Sequence, residues 1–295
     1  MAEHQALARE EYIEQEYFFR IYRERLIEGV ASQDILKTIH EEILATTRLP
    51  MAVDFMRAEI LHNGRISDAM ARLSHYFTPF QTFVLARAED DVSKFDQITG
   101  LQILEREAKY RSQSALCAGL FVYQFECLAR NRLGYSDGLT AIANDTAYDE
   151  RWKKWILGLR ATLGARELSD LVFRASQHFL TLKARRENPN QPVTDEGPTA
   201  LFDEQAGRIA KANVGRDPLY FFAALQRQLG YPQVPQPKKL IDEALPPILE
   251  RRIVKIEQRL KIVELEQKGG IDLTKFYKKD DSDTPPAFDD DPRLN

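Results

Sequence analysis

Few side chains in this sequence stand at spacings that do chemistry. Glu59 and His62 form an ExxH, which aims a carboxylate and an imidazole from one face of a helix. A ferritin-like di-iron centre requires two such motifs and two further glutamates. The residues three positions before His40, His75 and His178 are Lys37, Arg72 and Ala175, so a second ExxH is missing and no metal is expected. His62, followed by Asn63-Gly64, reads instead as the last turn of a helix, where an imidazolium is favoured by the helix dipole. His40-Glu41-Glu42-Ile43-Leu44 lacks the second histidine of an HExxH zinc motif. GxxxxGK[ST], GxGxxG and GxSxG are also missing, and the glycines punctuate helical segments, so no nucleotide or other cofactor is expected.

Glu126 lies between Phe125 and Cys127 in the most apolar part of the chain, where a carboxylate must be paired or gain a proton. Arg130 is four residues on, the spacing of a local ion pair, and a structural pair is the favoured reading. His75 and Tyr76 open an aromatic run with Phe77, Phe80 and Phe83. Aromatics at helical spacing read first as core, with His75 as the polar handle of any pocket there. The catalytic alternative is a helical enzyme or small-ligand binder whose pocket gathers His75, Tyr76, Glu126 and Arg130.

Cys117 and Cys127 share one helical segment. Ten residues of helix separate them by about 15 Å, whereas a disulfide needs Cα atoms within about 7 Å. Two inert buried thiols in a reducing compartment are the expectation.

The elements that would position these groups are helical throughout. Apolar positions recur at three-four spacing over 7–28, 33–47, 51–62, 67–73, 79–90, 97–110, 118–133, 136–144, 148–163, 167–186, 199–213 and 218–229. In the first helix the inward face is read as Tyr12, Ile13, Tyr17, Phe18, Ile21, Tyr22 and Leu26. Thr78-Pro79-Phe80-Gln81 predicts a capping box with proline in the first turn, Asp96 and Ser32 are candidate N-caps, and Gly29, Gly64, Gly134 and Gly164 are stops. Alternating strand patterns and a fixed repeat period are lacking. The fold class is therefore all-α: an irregular multi-helix bundle or stacked helix pairs, with a long C-terminal heptad helix.

Composition divides the chain. Residues 1–187 read as the main helical domain, 188–198 (NPNQPVTDEGP) as a linker and 199–230 as a helical extension. A Pro-rich spacer covers 231–246 and is predicted to be extended at its start (GYPQVPQPK). Over 247–268, Leu249, Ile253, Ile256, Leu260 and Val263 are spaced four, three, four, three, the seam of a coiled coil. Residues 269–295 read as an acidic disordered tail.

The sequence is 43% hydrophobic, enough for a core, and carries a formal charge of −4. Its Lys and Arg are interleaved with Asp and Glu, which argues against nucleic-acid binding apart from short pairs such as Arg130 with Arg132 or Arg185 with Arg186. No apolar run approaches the ~18 residues of a membrane span, and residues 1–30 lack a basic segment followed by an apolar one. A cytoplasmic location is expected.

Two segments, 73–84 (LSHYFTPFQTFV) and 119–139 (GLFVYQFECLARNRLGYSDGL), resemble an uncharacterised family of bacterial, planctomycete-type conserved hypothetical proteins. The resemblance covers about half of the chain and implies a bacterial cytoplasmic source. It implies no activity and brings no site residues. The leading functional expectation is a non-enzymatic interaction or assembly protein that binds a protein partner, or a second copy of itself, through the C-terminal helix.

Overall fold

The punctuation read from the sequence is realised as thirteen helices among the described residues, which are 7–90, 95–187 and 200–237 of a computed structural model. The heptad residues Leu249, Ile253, Ile256, Leu260 and Val263, the acidic tail and the 188–198 linker lie outside the described residues. In chain order the helices are α1 (Arg9–Ile27), α2 (Ser32–Glu42), α3 (Leu49–Asn63), α4 (Ile66–Arg72), α5 (Pro79–Ala88), α6 (Gln97–Ser112) and α7 (Cys117–Asn131). They continue as α8 (Tyr135–Ala143), α9 (Glu150–Thr162), α10 (Leu168–Arg174), α11 (Gln177–Glu187), α12 (Glu204–Ala212) and α13 (Pro218–Leu229). The fold is all-α, and the described residues hold no strand, only two isolated bridges, Leu163 with Arg166 and Ser176 with Phe202. None of the described helices is long and apolar enough to cross a membrane.

Met1–Pro237 forms one compact unit and Lys238–Asn295 a second. The first unit therefore contains the helical extension and the start of the Pro-rich spacer. Tyr231 and Val234 are buried in its core. A fully buried apolar side chain contributes about 1.5–3 kcal/mol, so these two are part of what holds the unit together.

Helix starts follow local chemistry. Thr78 and Gln81 form the capping box at α5, with Gln81 N–H donating to Thr78 Oγ1 at 3.2 Å and Thr78 N–H to Gln81 Oε1 at 3.0 Å. Asp96 caps α6 by accepting from the Thr99 N–H at 2.8 Å. Gly64 ends α3 at φ +72°, a conformation that costs a side-chain-bearing residue and glycine little.

Central α7 is buried on all sides from Gly119 to Leu128, as its apolar composition requires. Phe121 packs against Trp152, Trp155 and Phe202, with ring centroids 4.9–6.3 Å away. Helix α1 lies along α6, the most extensive helix pair of the unit.

Several boundaries differ from the sequence reading, each for a tertiary reason. The inward face of α1 is rotated: Phe19 is fully buried and Ile13 is 41% exposed. Glu11, Glu14 and Gln15 are buried with Tyr12, Phe18 and Tyr22. Those polar residues serve backbone groups of other segments. Glu14 accepts from the Leu44 N–H at 3.0 Å, Glu11 accepts from the Arg48 N–H at 3.0 and 3.1 Å, and Gln15 donates to the Tyr76 carbonyl at 3.2 Å. Helix α2 ends at Glu42 rather than near Thr47, and beyond it the Leu44 and Arg48 N–H groups donate to Glu14 and Glu11 instead of to a continuing helix. Ala31, not Ser32, is the N-cap of α2, and Ser32 is its first helical residue. Helix α7 ends on Arg132, held at φ +54°, and Gly134 instead precedes α8. The single helix expected over 167–186 is two. Gln177 N–H donates to the Phe202 carbonyl at 2.9 Å and Leu201 N–H to the Ala175 carbonyl at 3.0 Å, so the 200–203 segment inserts at the break between α10 and α11.

Candidate functional site

The residues singled out in sequence fall into two places. Glu126 and Arg130, one turn apart on α7, form an ion pair through Glu126 Oε1 and Arg130 Nε. Glu126 is buried and Arg130 half-buried. The other carboxylate oxygen meets Tyr231, whose hydroxyl lies 2.7 Å from Glu126 Oε2 and 3.0 Å from the Phe222 carbonyl. A phenol has one proton to share between these two acceptors. Burial, then the charge of Glu126, pushes the Tyr231 hydroxyl far above its ordinary range, so it is a donor at any working pH.

Around this pair the segment 231–237 crosses α6, α7 and α13. Arg106 donates to the Gln233 carbonyl. Asn131 Nδ2 donates to the Pro235 carbonyl at 3.1 Å and to Cys127 O at 3.2 Å. Tyr110 donates to the Leu229 carbonyl at 3.0 Å, just before the segment begins. The Tyr231 ring sits edge-on to Tyr123, with centroids 6.3 Å apart. Close approach of α6 and α7 here depends on Gly119, where an added Cβ would meet the Tyr110 hydroxyl at 2.2 Å.

His75 and Tyr76 stand elsewhere, on the turn before α5. His75 is exposed and Tyr76 buried. With Leu7, Tyr12, Thr78 and Thr146 they line a cavity of about 20 Å³, room for about one water. No contact among the described residues joins them to Glu126 and Arg130, so the four do not gather in one cleft. The Tyr76 hydroxyl is buried without a partner in hydrogen-bonding geometry, and burial, then nearby Glu11, pushes its proton affinity up.

The densest charge cluster was not read from the sequence. Arg111 on α6 pairs with Glu107 at 3.0 Å and with Asp145, all three essentially buried. Gln124 donates to Glu107 Oε1 at 2.7 Å and Tyr148 donates to Gln124 Oε1 at 2.7 Å. The Arg111 guanidinium also lies 5.8 Å from the centre of the Tyr12 ring. Burial raises the Glu107 carboxyl above its usual range; Arg111 opposes this and Asp145 adds to it. Burial works against charge on Arg111, but Asp145 and Glu107 hold it firmly protonated. The one available signal was register: Glu107 and Arg111 continue the stripe of Leu104 and Ala108 on α6. Sealed among Tyr12, Tyr148 and Gln124, the cluster ties α1, α6, α7 and the 145–148 turn together.

Both cysteines are free, Cys127 buried and Cys117 half-buried, and burial pushes both thiols up. That makes them poor nucleophiles. No group of three or more metal-ligating side chains occurs among the described residues. Between α8 and α9 a surface cleft of about 440 Å³ is lined by Tyr135, Ser136, Leu157, Arg160, Ala161 and Leu163. No family model matches the chain, and neither a curated protein nor a solved structure matches it.

Proposed function

We propose that this is a protein-interaction or assembly protein that acts without catalysis, pairing with a second copy through the heptad seam of 247–268. The observation that carries the reading is the run Leu249, Ile253, Ile256, Leu260 and Val263, apolar at four-three spacing and flanked by Glu, Lys and Arg. Support comes from the first unit, whose core includes its own last residues, Tyr231 and Val234. About three heptads make a helix that is marginal alone and gains stability by pairing. The same reading places the protein in the bacterial cytoplasm, following the resemblance of 73–84 and 119–139.

The test is light scattering on the full chain at tens of micromolar. The expected mass is twice that of the chain, falling to the single-chain mass on combining Ile256→Asp with Leu260→Asp. A single-chain mass for the unsubstituted protein overturns self-association. Truncation is a poorer control, since a cut at Gly230 would also remove the buried Tyr231 and Val234.

A further inference from the structure

We propose that the channel between α6, α7 and α13 is a recognition site for a proline-rich extended peptide of pattern Tyr-Pro-x-Val-Pro. In cis it is filled by residues 231–237. In trans it takes the same segment from a second copy of this chain.

The first ground is how 231–237 is held. No backbone–backbone hydrogen bond joins it to another described residue. Its attachments are those of a bound ligand: side chains of the helices reach its carbonyls, Arg106 to Gln233 and Asn131 to Pro235, while Tyr231 reaches Glu126. Tyr231, Val234 and Pro235 are buried, and Gln233 and Gln236 face solvent. Anchors at intervals with carbonyls read by fixed donors is the way grooves recognise extended Pro-rich peptides.

The second ground is the segment itself. Pro232, Pro235 and Pro237 have fixed φ, and Tyr231, Val234 and Gln236 each precede a proline, which restricts them to extended conformations. Only Gln233 is unconstrained. Little order is lost on binding, and the prolines present no N–H that the channel would have to satisfy.

The third ground is the hinge. Gly230, at φ +68°, separates the segment from the end of α13. Pivoting there leaves α13 in place and re-forms the same contacts between copies, which is what makes segment exchange a low-cost route to association. The site is distinct from the heptad seam and does not depend on it.

Complementation tests this, with both partners as full chains carrying Ile256→Asp and Leu260→Asp to silence the seam. One has its channel weakened by Arg106→Ala and Asn131→Ala but keeps its segment. The other keeps its channel and has its segment weakened by Tyr231→Ala and Val234→Ala. The mixture is expected to form a one-to-one complex that neither forms alone, since each channel substitution weakens the first partner's hold on its own segment about tenfold, the loss of one hydrogen bond to a carbonyl, and leaves the second partner's channel intact. Circular dichroism checks that each is folded. Independently, a peptide of residues 230–237 with a photoreactive phenylalanine in place of the tyrosine is expected to crosslink to α6 or α7 of the unsubstituted chain at millimolar concentration. Crosslinking elsewhere, or none, together with no mixed complex, overturns the proposal.

Discussion

The Tyr231 hydroxyl lies 2.7 Å from Glu126 Oε2, joining the extended segment 231–237 to the most buried helix of the unit across 105 positions of sequence. This contact gives the Glu126–Arg130 pair its tertiary meaning. The ion pair alone is local to α7, whereas Tyr231 makes it the anchor of 231–237.

Tyr231→Phe keeps the ring and removes the donor, leaving a buried carboxylate oxygen unsatisfied. A loss of about 1–3 kcal/mol is expected, measured as a lower urea midpoint with an unchanged slope. Protease sensitivity after Arg227 should rise in parallel. Unchanged stability would mean that water replaces the hydroxyl and that Glu126 does not anchor the segment.

At Gly119 steric fit decides. An added Cβ meets the Tyr110 hydroxyl at 2.2 Å and the Leu229 carbonyl at 3.4 Å. Gly119→Ala should cost about 1–3 kcal/mol through overpacking, and adding Tyr110→Phe should return part of it. A strictly additive double variant, measured by thermal or urea unfolding, would show that the two positions do not press on one another.

The Arg111 cluster makes opposite predictions for its two kinds of member. Arg111→Met strands Asp145 and Glu107 without a cation and should cost about 3–5 kcal/mol. Glu107→Gln should be milder than Arg111→Met, since burial favours the carboxyl's protonated form, which the amide resembles, and the amide leaves no unpaired charge behind. The sign follows: a carboxyl bound to its proton more tightly in the folded chain stabilises fully below the unfolded value, here 4.5, and that contribution fades as pH rises toward the folded one. The stability of the unsubstituted chain relative to Glu107→Gln should thus fall between pH 4.5 and the raised value. Urea midpoints for both proteins at pH 5 and pH 8 supply the comparison; a flat difference would contradict it.

Phe202 supplies a fourth test. Its ring meets Trp152 at 5.2 Å and Trp155 at 5.4 Å, and its carbonyl holds the start of α11. Phe202→Ala should cost about 3–5 kcal/mol and should move the emission of both tryptophans toward that of exposed indole. Emission unchanged in the folded variant would show that neighbouring side chains refill the space.

Much of this protein is written locally. Helix type is set by three-four periodicity, so twelve helical segments were legible; the structure divides only 167–186. Thr78, Asp96 and Gly64 act within a few residues of themselves, and a capping box or a left-handed stop needs no distant partner. Apolarity all round α7 likewise announced burial, because no side of such a helix gains from water.

What the tertiary structure alone decided is the meaning of the polar residues. Glu107 and Arg111 are spaced as an ordinary surface ion pair, and only Asp145, Gln124 and Tyr148, brought in from other elements, make them a buried cluster. Glu11, Glu14 and Gln15 read as the wet side of α1 until the backbone groups of Leu44, Arg48 and Tyr76 arrive to be satisfied. His75 and Tyr76 could be paired with Glu126 and Arg130 on paper, yet the chain sets the two pairs in different surroundings. A periodic pattern records which side of a helix is apolar. It does not record which donor waits there, because that donor comes from a segment the pattern never sees.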